Sequence, residues 1–153
     1  MERQELIEKK AQRLRESLGF EGCLKITYDE LKEKFLSMYK NIEIREDIDK
    51  KGVSIDSAVT VTDEVFVIHV NNSIWSPSDK KVSLLMGIYY LDEVCSKATG
   101  TKEAIKFAVS FLVPELLLLR KILKEEPEIE ELSEDFDLSK DLIISRLETL
   151  EII

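Results

Sequence analysis

The sequence lacks the residues that most metal and nucleotide sites require. Its 153 residues include one histidine, His69, and two cysteines, Cys23 and Cys95. Catalytic zinc is usually held by two histidines one helical turn apart, so this type of site is excluded. The five glycines form no phosphate-binding loop. We expect His69 to be a hydrogen-bonded structural residue and both cysteines to be buried free thiols. A Cys95–His69 nucleophile pair is the alternative, but no neighbouring group would orient its base.

Long apolar segments are also missing. The most apolar stretches, residues 82–91 and 107–119, are too short or too interrupted to span a bilayer. The first eighteen residues are charged throughout, which predicts no signal peptide. Hydrophobic residues make up 44% and charged residues 35% of the chain, a balance typical of a packed globule with a charged surface. We therefore predict a cytoplasmic protein with no membrane partner.

The hydrophobic pattern predicts an α+β, mainly helical fold. Apolar spacings of three and four precede residue 41, and Thr27 with Glu30 forms a capping box. Alternating and β-branched residues then predict a small antiparallel sheet over about residues 42–70, with a hairpin at Asp63-Glu64. Five to six helices are expected, two of them buried, with a break or restart at Pro114. We predict a single domain, residues 1–153, made of N-terminal helices (1–41), a sheet with core helices (42–125) and an acidic helical tail (126–153).

The net charge of −9 is concentrated near the C-terminal end of the sequence. Between residues 125 and 151 there are eleven acidic and two basic residues, so this segment carries the equivalent of the whole excess. Such a surface repels a phosphate backbone, so we expect no direct contact with nucleic acid. It suits a basic protein partner instead. The candidate partner-binding residues are Glu128, Glu130, Glu131, Glu134, Asp135 and Asp137.

The order of several short motifs also carries information. A strand ending in Asn71 precedes an apolar helix with the sequence Leu-Leu-Met-Gly-Ile-Tyr at residues 84–89. Glu-Ala-Ile-Lys-Phe-Ala at 103–108 then leads into Phe-Leu-Val-Pro at 111–114, and the tail carries Phe-Asp-Leu-Ser at 136–139 and an Arg-Leu pair. Together these motifs resemble the ImmA/IrrE family of zinc metallopeptidases over about residues 58–153. The resemblance implies a zincin-like domain.

The chain departs from that family at the active site. If the glycine and the first tyrosine of the apolar helix match those of the family, the two histidine ligands fall on Leu84 and Ile88. The general-base glutamate falls on Leu85. The acidic ligand falls on Thr101, while Glu103 keeps one of the family's acids. Leucine and isoleucine neither bind zinc nor transfer protons, so the resemblance implies a pseudopeptidase without metal or cofactor.

Members of this family are typically bacterial or mobile-element regulators that cleave or inactivate helix-turn-helix repressors. The resemblance therefore implies a phage- or element-associated regulator that binds a protein partner, such as a DNA-binding repressor, without cutting it. Two alternatives stay open. One is a self-associating structural protein, a homo-oligomer using the run Leu116–Leu119, although we expect that run to be buried. The other is a metal-free enzyme with a pocket lined by Glu103, Tyr89 or His69.

Overall fold

The computed structural model describes residues 2–49, 57–72, 80–92 and 101–153. This part of the chain contains seven helices and three strands, which confirms the α+β, mainly helical class. It forms two compact units, residues 1–26 with 109–153 and residues 27–108. The single domain over residues 1–153 stays a prediction. In chain order the elements are α1 (Glu2–Ser17), α2 (Tyr28–Met38), β1 (Ile42–Ile48), β2 (Ser57–Thr62), β3 (Val65–Asn71), α3 (Lys80–Asp92), α4 (Thr101–Leu112), α5 (Glu115–Glu125), α6 (Ile129–Phe136) and α7 (Lys140–Thr149).

The sheet is mixed, so the prediction of an antiparallel sheet is wrong for one of its strands. The predicted hairpin is present, with β2 antiparallel to β3 and Thr62 opposite Val65 across the Asp63-Glu64 turn. Strand β1 pairs with the other edge of β3 in the parallel sense, which gives the order β1-β3-β2. Strand β3 is the most apolar of the three and carries the buried residues of the sheet, so it takes the central position.

Helix α3 packs against β2 and β3, and every residue from 81 to 89 is buried. Gly87 makes this close approach possible. A Cβ atom there would lie 2.3 Å from Ile68 Cγ2 and 2.9 Å from Ser57 Oγ, distances that require one of the neighbours to move. The sequence Ser-Pro-Ser-Asp at residues 76–79 predicts the N-terminal cap of this helix, and the pattern predicts its end at about Lys97. Both positions lie outside the described residues.

A cluster of charged and aromatic groups connects α2, β1 and α3. The carboxylate of Glu46 accepts hydrogen bonds from Lys80 at 2.7 Å, Lys32 at 3.0 Å and Tyr28 Oη at 3.1 Å. The hydrogen bond from Lys80 is the largest influence on Glu46 and, with the other donors, lowers its pKa to about 2. Burial and the nearby Glu46 charge raise the pKa of Tyr28 above 10.0. The predicted capping box of Thr27 and Glu30 begins α2 as expected.

In the other unit, α4 ends at Leu112 and α5 begins after Pro114. Pro114 has no N–H and cannot donate back into α4, so the helix breaks there as predicted. The described residues contain seven helices, more than the five to six expected. The expected burial of the run Leu116–Leu119 is wrong for most of the run. Leu118 is fully buried, whereas Leu116 is 61% exposed, because α5 is amphipathic and only one of its faces meets the core.

None of the helices in the described ranges combines the length and apolar composition needed to cross a bilayer.

Candidate functional site

The three positions that the resemblance assigns to the zinc ligands and the general base, Leu84, Ile88 and Leu85, lie on α3. Leu84 and Leu85 are fully buried, and Ile88 is 7% exposed. None of these side chains has an atom that binds a metal or exchanges a proton. Full burial of each stabilises the fold by about 1.5–3 kcal/mol, so hydrocarbon packing occupies this part of the helix. Within the described residues no group of three histidine, cysteine, aspartate or glutamate side chains could hold a metal ion.

Glu103, the residue at which the resemblance finds one of the family's acids, is hydrogen-bonded to α3. Tyr89 is buried, and its hydroxyl donates to Glu103 Oε2 at 3.1 Å. The ring of Tyr89 also packs on Phe107 of α4, with the ring centroids 5.1 Å apart. The structure therefore brings Glu103 beside the matched helix, where it links α3 to α4. The side chain of Thr101, the other acidic-ligand position, lies outside the described set.

Three fully buried polar residues lie near the start of α3: Asn71, Lys81 and Ser83. The backbone N–H of Asn71 donates to Ser83 Oγ at 3.0 Å, which fixes the end of β3 to α3. The burial of Lys81 and Ser83 was not predicted from the sequence, because this helix is apolar nearly all round and has no polar face to distinguish them.

His69 is hydrogen-bonded through both ring nitrogens, as expected for a structural histidine. Its Nδ1 lies 2.8 Å and 3.0 Å from the two carboxylate oxygens of Asp47, and its Nε2 lies 2.7 Å from Thr60 Oγ1. The three residues come from β1, β3 and β2, so these bonds tie the strands together across one face of the sheet. The Thr60 hydroxyl, the His69 imidazole and the Asp47 carboxylate have the arrangement of a nucleophile, its base and the group that orients the base. However, Asp47 and Thr60 are exposed to water, and we assign the set a structural role.

The structure describes one of the two cysteines, Cys23. Cys23 is exposed, so the prediction that it is buried is wrong. It follows the turn at Gly19 and Gly22, both with a φ of 78°, where the chain leaves α1 and runs over the surface. Cys95 lies outside the described residues, so its burial stays a prediction and its pairing with His69 stays the alternative.

The acidic residues of the tail are divided between solvent and internal contacts. Glu128, Glu130, Glu131 and Glu134 are exposed on or beside α6, whereas Asp135 and Asp137 are partly buried. Lys121 contacts Asp135 at 3.1 Å, and Asp137 ends α6 in a left-handed conformation with a φ of 52°. A hydrogen bond from its own backbone N–H, followed by the charge of Lys140 at 3.5 Å, lowers the pKa of Glu130. Glu130 and Glu131 also lie in the first turn of α6, where negative charge stabilises the helix.

Arg146, one of the two bases counted in the tail, is not a surface residue. It is 2% exposed and donates from Nε to the carbonyl of Val113 at 2.9 Å and from Nη1 to Ser110 Oγ at 3.2 Å. Its Nη1 and Nη2 also donate to the two carboxylate oxygens of Glu8, the Nη2 bond being 2.7 Å long. Lys140 is consequently the exposed base of α7.

Arg15 of α1 is a second buried arginine that donates to a carbonyl beside the break between α4 and α5. It is 4% exposed, donates to the carbonyl of Phe111 at 2.5 Å and also donates to the carbonyl of Cys23. Burial lowers the pKa of Arg15 to about 10. The carbonyls at the C-terminal end of α4 have no partners within the helix and carry partial negative charge, which favours a cation there. Arg15 and Arg146 therefore satisfy the α4 end that Pro114 leaves open.

A groove of about 490 Å³ lies in this unit along α1 and α5. Charged residues of α1 and the following turn line it, together with the first turns of α5. Sequence reasoning missed this groove and the two buried arginines. A signal for the arginines was present, since Arg15 falls between the apolar residues Ala11 and Leu18 of α1, and Arg146 falls between Ile143 and Leu147 of α7. A charged residue on an apolar stripe indicates a buried ion pair or cap.

Comparison with known proteins supports the fold alone. No sequence profile of a known family matches the chain, and no curated protein is similar to it. Among solved structures, a Mycobacterium tuberculosis transcriptional regulator superimposes with a TM-score of 0.64 at 16% identity. The match covers 92% of this chain and 46% of the regulator, so the chain spans less than half the length of that protein. The two chains share a fold over the matched region.

Proposed function

We propose that the chain is a catalytically inactive regulatory protein that acts by binding a protein partner. The observation that carries this proposal is the hydrocarbon at Leu84, Leu85 and Ile88, all buried where the resemblance expects zinc ligands and a base. The resemblance to the ImmA/IrrE family supports a cytoplasmic, phage- or element-associated role and a helix-turn-helix repressor as the partner. A solved transcriptional regulator with the same fold is consistent with this role.

The exposed acids of α6 are the surface proposed for the partner. Glu128, Glu130, Glu131 and Glu134 are open to solvent, while the nearby base Arg146 is buried against Glu8. A repressor presents a basic surface to DNA, and an acidic surface attracts it by long-range charge complementarity. Binding there would compete with the DNA for the repressor, so that regulation needs no cleavage.

Metal content tests the loss of catalysis. We expect elemental analysis of the purified protein to find no stoichiometric zinc, and a chelator to leave the melting temperature unchanged. Zinc near one per chain, with a melting temperature that the chelator lowers, would contradict the pseudopeptidase proposal. Peptidase activity gives a second test: casein is incubated as a general substrate with the protein and added zinc, and we expect it to remain uncleaved.

Partner capture tests the acidic surface. The wild type and a variant with Glu128, Glu130, Glu131 and Glu134 changed to Gln are used as bait in host lysate. A matched control changes four exposed acids elsewhere to Gln: Glu5, Glu21, Glu33 and Glu64. We expect a DNA-binding protein to be retained by the wild type and the control but lost from the α6 variant. The purified partner should then leave its operator DNA when wild-type protein is added. Equal capture by all three baits would rule out the acidic surface.

One observation favours the second candidate, a self-associating structural protein. Leu116 is 61% and Leu123 is 83% exposed, and the two leucines lie seven residues apart on one face of α5. If this face is an oligomer interface, Leu123→Lys should lower the mass measured by light scattering to that of a monomer.

A further inference from the structure

The outer edge of the sheet offers a second binding surface, formed by β2. Among the residues that the structure describes, strand β2 pairs with β3 alone, along one of its two edges. The two-residue turn at Asp63-Glu64, with φ values of 49° and 66°, makes Thr62 and Val65 a mutually hydrogen-bonded pair. In an antiparallel ladder such pairs alternate along the strand. The N–H and C=O groups of Ser57, Val59 and Val61 therefore point away from β3. Within the part of the chain that the structure describes, these outward groups bond to nothing.

The composition of this edge leaves it open to pairing. The six residues of β2, Ser-Ala-Val-Thr-Val-Thr, include four β-branched residues and neither a charge nor a proline. Proteins usually protect exposed edges with charged residues, prolines or bulges. Strand β1, the opposite edge, follows that rule with Glu43, Arg45, Glu46 and Asp47 and has an irregular register near its end. On β2, Val61 is instead 59% exposed.

We propose that β2 is a self-association edge, through which two copies of this chain pair as antiparallel strands. One two-fold register pairs all three outward-facing residues: Val59 lies opposite its own counterpart, and Ser57 lies opposite Val61 of the second copy. When two identical strands pair, any charge on one strand comes close to the same charge on the other and repels it. Self-pairing is therefore favoured at an edge that carries no charge, and more so because the chain as a whole has a net charge of −9. Strand β2 is such an edge, whereas a basic partner would find nothing on it to attract its charge.

The pairing extends two three-stranded sheets into one continuous sheet. Six residues a side make a small interface, below the size typical of permanent dimers. The dimer is accordingly weak and reversible. In sedimentation equilibrium from about 10 μM to about 1 mM, the range expected for small interfaces, the mean mass should rise from monomer toward dimer.

Cysteine cross-linking tests the register. Val59→Cys and Val61→Cys are made separately in a background in which Cys23 and Cys95 are serine, and copper phenanthroline is the oxidant. Residues at a hydrogen-bonded antiparallel position have Cα atoms about 5.5 Å apart, within the range of a disulfide. In the proposed dimer the Val59 positions meet, while the Val61 positions lie about 13 Å apart along the strands. We expect the Val59→Cys dimer to form at least about tenfold faster. Val61 is the more exposed residue, so random collision would favour the opposite order.

Val59→Pro provides a test that does not depend on cross-linking. It removes an outward N–H and no bond to β3, so circular dichroism should show an intact fold while the mass stays that of a monomer. Leu123→Lys is the matched control, because α5 is not part of this edge, and it should still dimerise. A wild-type protein that is monomeric at every concentration would overturn the proposal. Equal cross-linking of the two cysteine variants, or loss of the dimer in Leu123→Lys alone, would also overturn it.

Discussion

The ion pair between Glu8 and Arg146 gives the most direct test of how the α4–α5 break is stabilised. Glu8→Gln keeps the shape of the side chain but removes its charge, which leaves the guanidinium of Arg146 buried at 2% exposure without a counter-charge. Removing one partner of a buried pair typically costs 3–5 kcal/mol. The side chain of Glu8 is itself 26% exposed, so we expect the lower end, about 3 kcal/mol.

Urea and thermal denaturation followed by circular dichroism measure this loss. A cost of about 3 kcal/mol corresponds to a melting temperature lower by about 6–12 °C for a chain of this size. Glu5→Gln is the control, because Glu5 lies on the same helix and is exposed. If Glu8→Gln and Glu5→Gln have free energies of unfolding within about 0.5 kcal/mol of each other, the pair contributes nothing and the reasoning is refuted.

The pH dependence of stability gives a second readout of the same substitution. Burial raises the pKa of Glu8, but hydrogen bonds from Arg146, Ser110 and Gln4 and the charge of Arg146 outweigh it and hold the pKa below 4.5. A carboxyl with a lowered folded-state pKa stabilises the fold above its unfolded value, and this contribution is lost as the pH falls through the folded value. The stability difference between wild type and Glu8→Gln should therefore be largest above pH 4.5 and shrink in acid.

Two further predictions concern the unit of residues 27–108. Gly87→Ala should destabilise the fold by about 3 kcal/mol in urea denaturation, the upper end of the range typical of overpacking, because its methyl group would overlap Ile68. Gly22→Ala, which meets no atom within 4 Å but has a φ of 78°, should cost only about 1 kcal/mol, and equal costs would contradict the packing argument. Lys80→Met should raise the pKa of Glu46 from about 2 toward 4.5, as measured by carbon NMR titration, since Lys80 is the main group that lowers it. An unchanged titration would contradict that assignment.

Local sequence signals predicted the elements of the fold well, because each signal acts over a few residues. The capping box at Thr27 and the two-residue hairpin both appear where expected. The segment 126–153, predicted to be an acidic helical tail, contains α6 and α7. The direction of β1 could not be predicted, because a strand can pair with the free edge of β3 in either the parallel or the antiparallel sense. That choice is made by contacts distant in sequence.

The candidate site was predictable only in part. The apolar character of α3 follows from its sequence, and burial of Leu84 and Leu85 follows from that character. The hydrogen bond between Tyr89 and Glu103 could not be derived, since it depends on how α4 packs against α3. The Asp47–His69–Thr60 contacts were equally hidden, because they need the register of all three strands.

The two buried arginines change what the charge pattern means for function. Counted along the sequence, Arg146 offsets part of the acidic tail, but in the structure its charge is neutralised by Glu8 of α1 inside the fold. Arg15 is used in the same way at the carbonyl of Phe111. The surface formed by α6 and α7 is therefore more negative than the residue count of that segment indicates. This strengthens the argument for a basic protein partner there, and it agrees with the expectation of no direct contact with nucleic acid, because Arg146 is not exposed to bind a phosphate.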